Sequence, residues 1–383
     1  MSSPNYVFDL LVIGLHEAEQ LGPATPWTYT PQLQRAANQL AVALPTRLPA
    51  TATGLRKLLN TPLRQWWPAQ WPLPPAFEAG CALLDGAQLS EEGYAYYYSE
   101  LPDTVGVGGE QLHTAALVAS DNREFRQLYE ELRAKRAESP NLAATVQAEY
   151  VRLRRFLIEQ PITTGDELTR VFGPSWHVGA GRVGPLYEPC RGPLWHCQHC
   201  GPLLTINGQL RGIRPSVCSH HLPGQPTLRQ IADAPDLRRI RPGIHWRTCF
   251  PGKPELQLYY HIEALQQQYP QLLTEVELWP GLDQYDLRLV FSSGETWAVD
   301  VKDWRDPRRL GAGLQPLSSA NGLAYTRDFY VVADRWLGTD PEGYLQIVRE
   351  EARLPASTSI MGLRQFAQLV TTYLRQTAKK SRS

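Results

Sequence analysis

Two neighbouring stretches of alternating apolar and polar residues give the clearest pattern in the chain. In the first, residues 286–291, leucine and phenylalanine occupy every second position, and the second stretch, ending at Lys302, repeats the pattern with tryptophan and valine. Successive side chains of a β-strand point to opposite faces of its sheet. The segment 292–294 between them contains serine and glycine, which favour turns. The pattern therefore predicts a β-hairpin with one buried face.

The polar face of this hairpin carries charged side chains that suit metal chemistry. Asp300 and Lys302 are two residues apart and share a face, and Asp286 opens the first stretch on its polar side. Mg²⁺ prefers oxygen ligands and keeps waters that can serve as nucleophiles, and Mn²⁺ accepts the same ligands. A lysine beside it can orient that water or offset charge on a phosphate. The hairpin is thus predicted to carry a magnesium-dependent hydrolytic site.

The elements around the hairpin follow a definite order. A predicted helix and strand precede it, a helical or looped stretch follows Pro307, and an apolar strand and two helices complete the region. The predicted segments are the helix Pro254–Gln268, the strand Thr274–Trp279, the hairpin, the strand Phe329–Ala333, and the helices Pro341–Arg353 and Leu363–Arg375.

Asp286 followed by Asp300-x-Lys302, after an acidic helix, resembles the PD-(D/E)xK superfamily of restriction-endonuclease-like nucleases. The resemblance covers residues 251–333 and matches the helix, three strands, helix and strand of that core. It departs from the motif at Tyr285, where proline is usual. The resemblance implies a metal-dependent nuclease in which Asp286 and Asp300 hold Mg²⁺ or Mn²⁺, with the carbonyl of Val301 as a further candidate ligand.

The resemblance also implies an acidic residue from the preceding helix. Members of the superfamily often use a carboxylate near the start of this helix at the metal site, which points to Glu255 with Glu263 as the alternative. Asp283 competes with Asp286 but precedes the strand and is assigned to the turn. The implied catalytic set is Glu255, Asp286, Asp300 and Lys302.

Residues 164–250 have a different character, because glycine and proline become frequent and cysteine clusters. The spacing CxxC-x17-CxxH is typical of a structural zinc ribbon, in which four ligands leave no open position. The asparagine-glycine pair at 207–208 favours a hairpin between the two halves. The predicted zinc ligands are Cys197, Cys200, Cys218 and His221. The sequence does not decide which residue is the fourth ligand, since His221 competes with Cys190, His220, His196 and His199.

The same region is strongly basic. Between residues 181 and 250 there are nine arginines, no lysine and three acidic residues. Arginine forms planar, bidentate contacts with phosphate, and a basic face attracts nucleic acid with an affinity that depends on salt. The candidate nucleic-acid-binding residues are Arg211, Arg214, Arg238, Arg239 and Arg241.

Residues 1–163 are predicted to form a mainly helical region, with the clearest helices at Glu110–Arg136 and Asn141–Glu159. The chain is 43% apolar and 20% charged, which is compatible with folded cores, and its formal net charge of zero excludes a general polycation. The short apolar segment Val7–Leu15 contains Asp9 and has no basic residue before it. Because no segment is long enough for a membrane span or reads as a signal peptide, a cytoplasmic protein is expected.

The sequence therefore predicts a multidomain α and α/β protein. Its parts are a helical N-terminal domain (1–163), an arginine-rich zinc module (164–250) and an endonuclease-like domain (251–383). The motif VKDW with a long extension and a cysteine cluster resembles bacterial nucleases encoded beside prokaryotic PIWI-like proteins and helicases. That resemblance implies a defence endonuclease that acts together with partner proteins. Its expected substrate is DNA in preference to RNA. The alternative is a nucleic-acid-binding or assembly subunit that uses the nuclease fold as a scaffold.

Overall fold

The structure is a computed structural model that describes most of the chain. The described residues are 3–21, 29–49, 51–101, 104–107, 110–113, 117, 120, 122–173, 178–190, 194–199, 201–203, 228–231, 235–319 and 323–380. The chain divides into two compact units, each built from separate segments. Unit 1 contains Met1–Glu124, Pro161–Pro174 and Gly179–Arg247, and unit 2 contains Phe125–Gln160, Ser175–Val178 and Thr248–Ser383.

Besides one short helical turn, Pro280–Asp283, with left-handed φ and ψ angles at Gly281 and Leu282, the described part of the chain contains fourteen right-handed α-helices. In order they are α1 Pro4–Gln20, α2 Pro31–Ala43, α3 Ala52–Leu59, α4 Leu63–Trp66, α5 Glu91–Ala95, α6 Arg123–Glu138, α7 Ala143–Glu159, α8 Gly165–Val171, α9 Ala180–Val183, α10 Pro242–Ile244, α11 Phe250–Gln268, α12 Pro307–Gly313, α13 Pro341–Glu351 and α14 Leu363–Lys380. Two π-helical segments, Tyr96–Glu100 and His245–Cys249, continue α5 and α10.

The described strands are mostly short. They are β1 Leu84–Asp85, β2 Gln88–Leu89, β3 Thr104–Val107, β4 Glu110–His113, β5 Ile162–Thr164, β6 Tyr187–Pro189, β7 Leu194–Cys197, β8 Gly201–Pro202, β9 Leu228–Ile231, β10 Leu237–Ile240, β11 Leu273–Leu278, β12 Leu287–Phe291, β13 Thr296–Lys302, β14 Arg327–Val332 and β15 Ser359–Gly362.

The predicted helix Glu110–Arg136 is wrong over its first part. Residues 110–113 form β4, which pairs antiparallel with β3, and the helix begins only at Arg123. The cause is local: two glycines stand between β3 and β4, and a two-residue Gly-Gly connection favours a tight hairpin. The predicted helix therefore combined a strand, β4, with the separate helix α6.

Unit 1 combines helices with small sheets. Helix α1 packs against α2, and the buried Phe8 ring contacts the rings of Trp67, Phe77 and Tyr96. Strand β10 lies between β5 and β6, and β7 lies between β8 and β9, all in antiparallel pairs. Within the zinc module predicted at 164–250, Cys200 and the segment 204–227 lie outside the described residues.

Unit 2 is built on a five-stranded mixed sheet with the order β11-β12-β13-β14-β15. The first three strands are antiparallel, and β13, β14 and β15 run parallel. One sheet face packs the rings of Trp297, Phe329 and Phe366 together, so α14 covers that face. The other face packs Ala298 and Tyr330 with side chains of α12 and α13. The predicted C-terminal α/β arrangement with its central hairpin is thereby confirmed.

Helices α6 and α7 belong to unit 2 although they precede its other elements by about a hundred residues. Helix α7 packs against α11 and against the turn 280–283 that follows β11. The sequence analysis places these helices in an N-terminal domain, and that three-domain division stays a prediction beside the two units. In the described part of the chain, every helix is too short or too polar to cross a membrane.

Candidate active site

The hairpin β12–β13 places two carboxylates and a lysine at one end of the sheet. Asp286 stands one residue before β12; its backbone N–H donates to the Val299 carbonyl at 2.9 Å. Its Oδ2 accepts a hydrogen bond from the Val301 N–H at 2.6 Å, which fixes the orientation of the carboxylate. On β13, Lys302 Nζ lies 2.7 Å from Asp300 Oδ2.

The alternation of β13 explains why these two groups lie on the sheet face opposite Trp297 and Val299. Trp297 and Val299 are fully buried on the other face, and Val301 is nearly so. The side chains of Asp300 and Lys302 retain 15% and 29% exposure, so the pair is open to a solute. The predicted face assignment is therefore confirmed.

Glu255 approaches this group from the first turns of α11. Its two carboxylate oxygens accept hydrogen bonds from Arg154 Nη2 at 3.0 and 2.8 Å. Its Oε2 also accepts from the indole N–H of Trp279 at 2.6 Å. The Glu255 and Arg154 side chains are only 5% and 8% exposed, so this is a buried ion pair.

A left-handed turn between β11 and β12 contributes a fourth carboxylate. Trp279, Gly281, Leu282 and Asp283 all have positive φ angles, between 49° and 71°. Asp283 forms a salt bridge with Arg154 Nη1. The turn thereby directs both the Trp279 indole and the Asp283 carboxylate at the Arg154–Glu255 pair.

The four carboxylates influence one another's protonation. Burial, followed by the neighbouring carboxylates of Glu255, Asp300 and Asp283, raises the pKa of Asp286 well above its ordinary value. Burial also raises the pKa of Glu255 to about 7, and the Arg154 guanidinium opposes that rise. In the absence of a bound cation, the site therefore retains protons at a pH where ordinary carboxyls are ionised.

Lys302 stays charged in this environment. Burial lowers its pKa, but the carboxylates of Asp300 and Asp286 outweigh burial and hold the pKa above its ordinary value. The ammonium also lies 5.7 Å from the centre of the Tyr330 ring. Lys302 is accordingly a permanent cation at neutral pH.

The donor set fits a hard divalent cation. Asp286 and Asp300 offer carboxylate oxygens, which Mg²⁺ and Mn²⁺ prefer. The structure describes no salt-bridge partner for Asp286, a buried carboxylate that lies within electrostatic range of Glu255, Asp283 and Asp300. A cation would relieve this accumulation of negative charge, so Asp286 and Asp300 could hold it.

Glu255 and Glu263, the two candidates on α11, lie in different environments. Glu263 is eight residues later, about 12 Å along the helix axis, and it accepts a hydrogen bond from the Tyr259 hydroxyl at 2.9 Å. Glu255 is buried beside the other acidic groups. The structure thus brings Glu255, Asp286, Asp300 and Lys302 together.

The described candidate arginines of unit 1 already have protein partners. Arg238 and Arg239 form salt bridges with Asp236 and Glu188 at 2.8 and 2.7 Å. Arg241 donates to the Pro185 carbonyl at 2.7 Å. Arg211 and Arg214 lie outside the described residues, and nucleic-acid binding by these five arginines stays a prediction.

Only part of the predicted zinc site can be located. Cys197 is buried at the end of β7 and pairs with Gly201 of β8. Gly201 has a φ of 103°, in the left-handed region that favours glycine. Cys200, Cys218, His220 and His221 lie outside the described residues, and the zinc site stays a prediction.

Arg154 is the site residue that the sequence analysis missed. It lies on α7, whose buried face includes Val146, Tyr150, Leu153 and Leu157. An arginine buried beside such an apolar stripe needs a charged partner, since an isolated buried charge is costly. Its position next to the stripe was therefore the available signal, although the partner could not be identified from it.

Comparisons with known proteins agree with the fold of unit 2. Residues 252–378, about a third of the chain, match a family model described as "REase associating with pPIWI_RE". Comparisons with the curated proteins and with the solved structures found no match. The match includes Glu255, Asp286, Asp300 and Lys302 but not Arg154. The C-terminal part of the chain is therefore similar to restriction endonucleases that associate with pPIWI_RE proteins.

Proposed function

We propose that this chain is a metal-dependent endonuclease of the PD-(D/E)xK type that hydrolyses phosphodiester bonds. The proposed substrate is DNA, with RNA as the alternative. The observation that carries the proposal is the meeting of Asp286, Asp300 and Lys302 at one end of the hairpin, beside the buried Glu255. The family match of residues 252–378 supports the same chemistry. The name of that family also supports association with a pPIWI-like protein, and we propose that the two act together in bacterial defence.

Each residue has a role that follows from its surroundings. Asp286 and Asp300 would hold Mg²⁺ or Mn²⁺, with the Val301 carbonyl as a further ligand. When bound, such an ion activates a water as nucleophile and stabilises charge on the phosphate oxygens. The Val301 N–H keeps the Asp286 carboxylate in one orientation. Lys302 remains protonated, so it orients the nucleophilic water and offsets charge on the phosphate.

The proposal also assigns roles to unit 1. A structural Zn²⁺ held by Cys197, Cys200, Cys218 and His221 would stabilise the arginine-rich segment, with Cys190 or His220 as the alternative fourth ligand. The arginines would contact the phosphate backbone. What supports this is the cysteine spacing, the basic composition and the antiparallel pairing of Cys197 with Gly201.

Cleavage of nucleic acid by the purified full-length chain tests the enzymatic proposal. Single-stranded DNA, double-stranded DNA and RNA are incubated with Mg²⁺ or Mn²⁺, with and without the pPIWI-like partner. Asp300→Asn removes a ligand charge, and Lys302→Met removes the ammonium, so each should lower cleavage by at least about a hundredfold. Neither change opens an apolar cavity, so the thermal midpoint should change little.

Glu277→Gln is the matched control, because Glu277 is a half-exposed carboxylate on β11 whose partner is Arg288. This variant should cleave like the wild type. Metal-dependent cleavage that survives in Asp300→Asn would refute the proposed site. An inactive wild type that still binds nucleic acid, even with its partner present, would favour the scaffold role.

A further inference from the structure

Arg154 places a permanent positive charge inside the acidic site. It reaches the site from α7, outside the segment 252–378 that matches the nuclease family. Its guanidinium contacts Glu255 through Nη2 and Asp283 through Nη1, and it lies 4.4 Å from the centre of the Trp279 ring. The Tyr150 hydroxyl lies 3.3 Å from Nη1. The arginine is therefore held by contacts on several sides.

These contacts use the oxygens of Glu255. Arg154 donates to both of them, and the Trp279 indole donates to one. A metal ion that bound Glu255 would have to displace the guanidinium or sit beside it, where two positive charges repel. Asp283 contacts the same guanidinium through Oδ1. As long as Arg154 keeps its place, both carboxylates are paired with it, and a metal ion at either one would lie beside a positive charge.

The remaining carboxylates are differently placed. Asp300 pairs with Lys302, whose side chain is partly exposed. Asp286 accepts one backbone hydrogen bond and has no salt bridge with any described residue. When ionised, the four carboxylates face two resident cations, Arg154 and Lys302. The formal excess of two negative charges equals the charge of one divalent ion.

We infer that Arg154 is a positioning residue that reserves Glu255 and Asp283 for itself, so that the site takes a single divalent ion through Asp286 and Asp300. This inference rests on the proposed metal-dependent function and specifies the metal stoichiometry of that site. It also makes α7 part of the site, although α7 lies outside the family match. Glu255 then acts through Arg154 and Trp279 instead of as a metal ligand.

Mn²⁺ titration of the full-length protein at about pH 8, followed by the electron paramagnetic resonance signal of free Mn²⁺, measures this stoichiometry without relying on activity. The wild type should bind one equivalent at this site. Arg154→Met frees Glu255 and Asp283 and should bind two. Arg154→Lys retains the charge and should return the stoichiometry to one, with a lower thermal midpoint because lysine cannot form the bidentate contact.

Arg154→Met leaves the buried Glu255 carboxylate with the Trp279 indole as its remaining described partner, which lowers the stability of the fold. Glu255→Gln therefore provides the second test. Loss of a carboxylate that only surrounds a metal site lowers affinity by about tenfold to a hundredfold. Glu255→Gln should therefore still bind one equivalent of Mn²⁺, with affinity lowered by no more than about a hundredfold. Asp286→Asn should abolish measurable binding.

The outcomes separate this inference from the proposed function. Two equivalents in the wild type, or loss of binding in Glu255→Gln equal to that in Asp286→Asn, would overturn the role of Arg154 and leave the nuclease proposal standing. A folded Arg154→Met that binds one equivalent would also overturn it. A wild type that binds no Mn²⁺ at this site would instead contradict the proposed function itself.

Discussion

At the scale of single residues, Asp286 gives the site its pH dependence. Burial and three neighbouring carboxylates raise its pKa, so the folded, metal-free protein holds this proton at a pH where the unfolded chain has lost it. A carboxyl whose pKa rises on folding makes its full contribution to stability below the pKa of the unfolded chain, and this contribution is lost as the pH rises through the raised pKa of the folded state. Glu255, with a pKa of about 7, acts in the same direction.

We therefore expect the metal-free protein to lose stability as the pH rises from about 5 to 8. Each group contributes at most about 1.4 kcal/mol per pH unit. Thermal unfolding in the presence of a chelator measures the slope, which should be smaller in Asp286→Asn. Mg²⁺ should raise the thermal midpoint more at the upper end of this range, because bound metal requires an ionised carboxylate.

The control is Glu277→Gln, which removes a carboxylate of comparable charge from the neighbouring strand and should leave the slope unchanged. A metal-free protein whose stability increases steadily over this range would contradict the buried, mainly acidic environment described for Asp286.

The residues of the site differ in how far the sequence could predict them. Asp300 and Lys302 follow from the alternation of a single strand, which is a local property. Asp286 follows from the neighbouring strand and a short turn. Arg154 pairs with Glu255, which is 101 positions away in the chain. The periodicity of apolar residues does not show which distant side chain pairs with a buried charge.

At the scale of elements, the left-handed turn after β11 is the strained part of the site. Trp279, Leu282 and Asp283 have positive φ angles without being glycine, and each such residue costs about 1–2 kcal/mol. Gln147 of α7 compensates, since its amide donates to the Trp279 carbonyl at 2.8 Å and accepts from the Leu282 N–H at 3.0 Å. Tyr129 of α6 donates to the Leu282 carbonyl at 2.9 Å.

Gln147→Ala should accordingly destabilise the protein by about 1–3 kcal/mol, because two backbone groups of the turn lose their partners. Urea unfolding measures this change. The same variant should cleave more slowly, since the turn carries the Trp279 and Asp283 groups that hold Glu255 and Arg154 in place.

Gln127→Ala is the matched control on α6. Gln127 is exposed, and its side-chain amide donates a long hydrogen bond of 3.5 Å to Glu131. Removing this side chain should therefore change the free energy of unfolding by less than about 0.5 kcal/mol. Equal stability of the two variants would mean that α7 does not support the turn.

The elements of unit 2 were largely predictable because each has its own periodicity and turn residues. Helix α11, strands β11–β14 and helices α13 and α14 lie within a few residues of their predicted positions. Periodicity shows that α7 has a buried face but not which partner covers it. Its packing with α11 is therefore visible only in the folded chain.

At the scale of the whole molecule, we propose that unit 2 catalyses hydrolysis and that unit 1 binds the nucleic acid. Unit 2 contains the acidic site, and unit 1 contains Arg238, Arg239 and Arg241 on or beside β10. The salt bridges of Arg238 and Arg239 leave part of each guanidinium for other acceptors, because arginine has five N–H groups that donate hydrogen bonds. Phosphate binding at this strand is thus compatible with the described contacts.

Replacing Arg238, Arg239 and Arg241 by glutamine should weaken nucleic-acid binding and reduce its dependence on salt. Each phosphate contact contributes about 0.9 to the slope of log affinity against log salt for duplex DNA, so losing three contacts lowers the slope by about 2.7. Fluorescence anisotropy at several salt concentrations measures both quantities.

Arg170→Gln is the control, since Arg170 is an exposed arginine of unit 1 that pairs with Glu167. Because the acidic site is unchanged, cleavage at saturating nucleic acid should be retained in the triple variant. Unchanged affinity and slope would show that these arginines serve only their partners Asp236, Glu188 and Pro185.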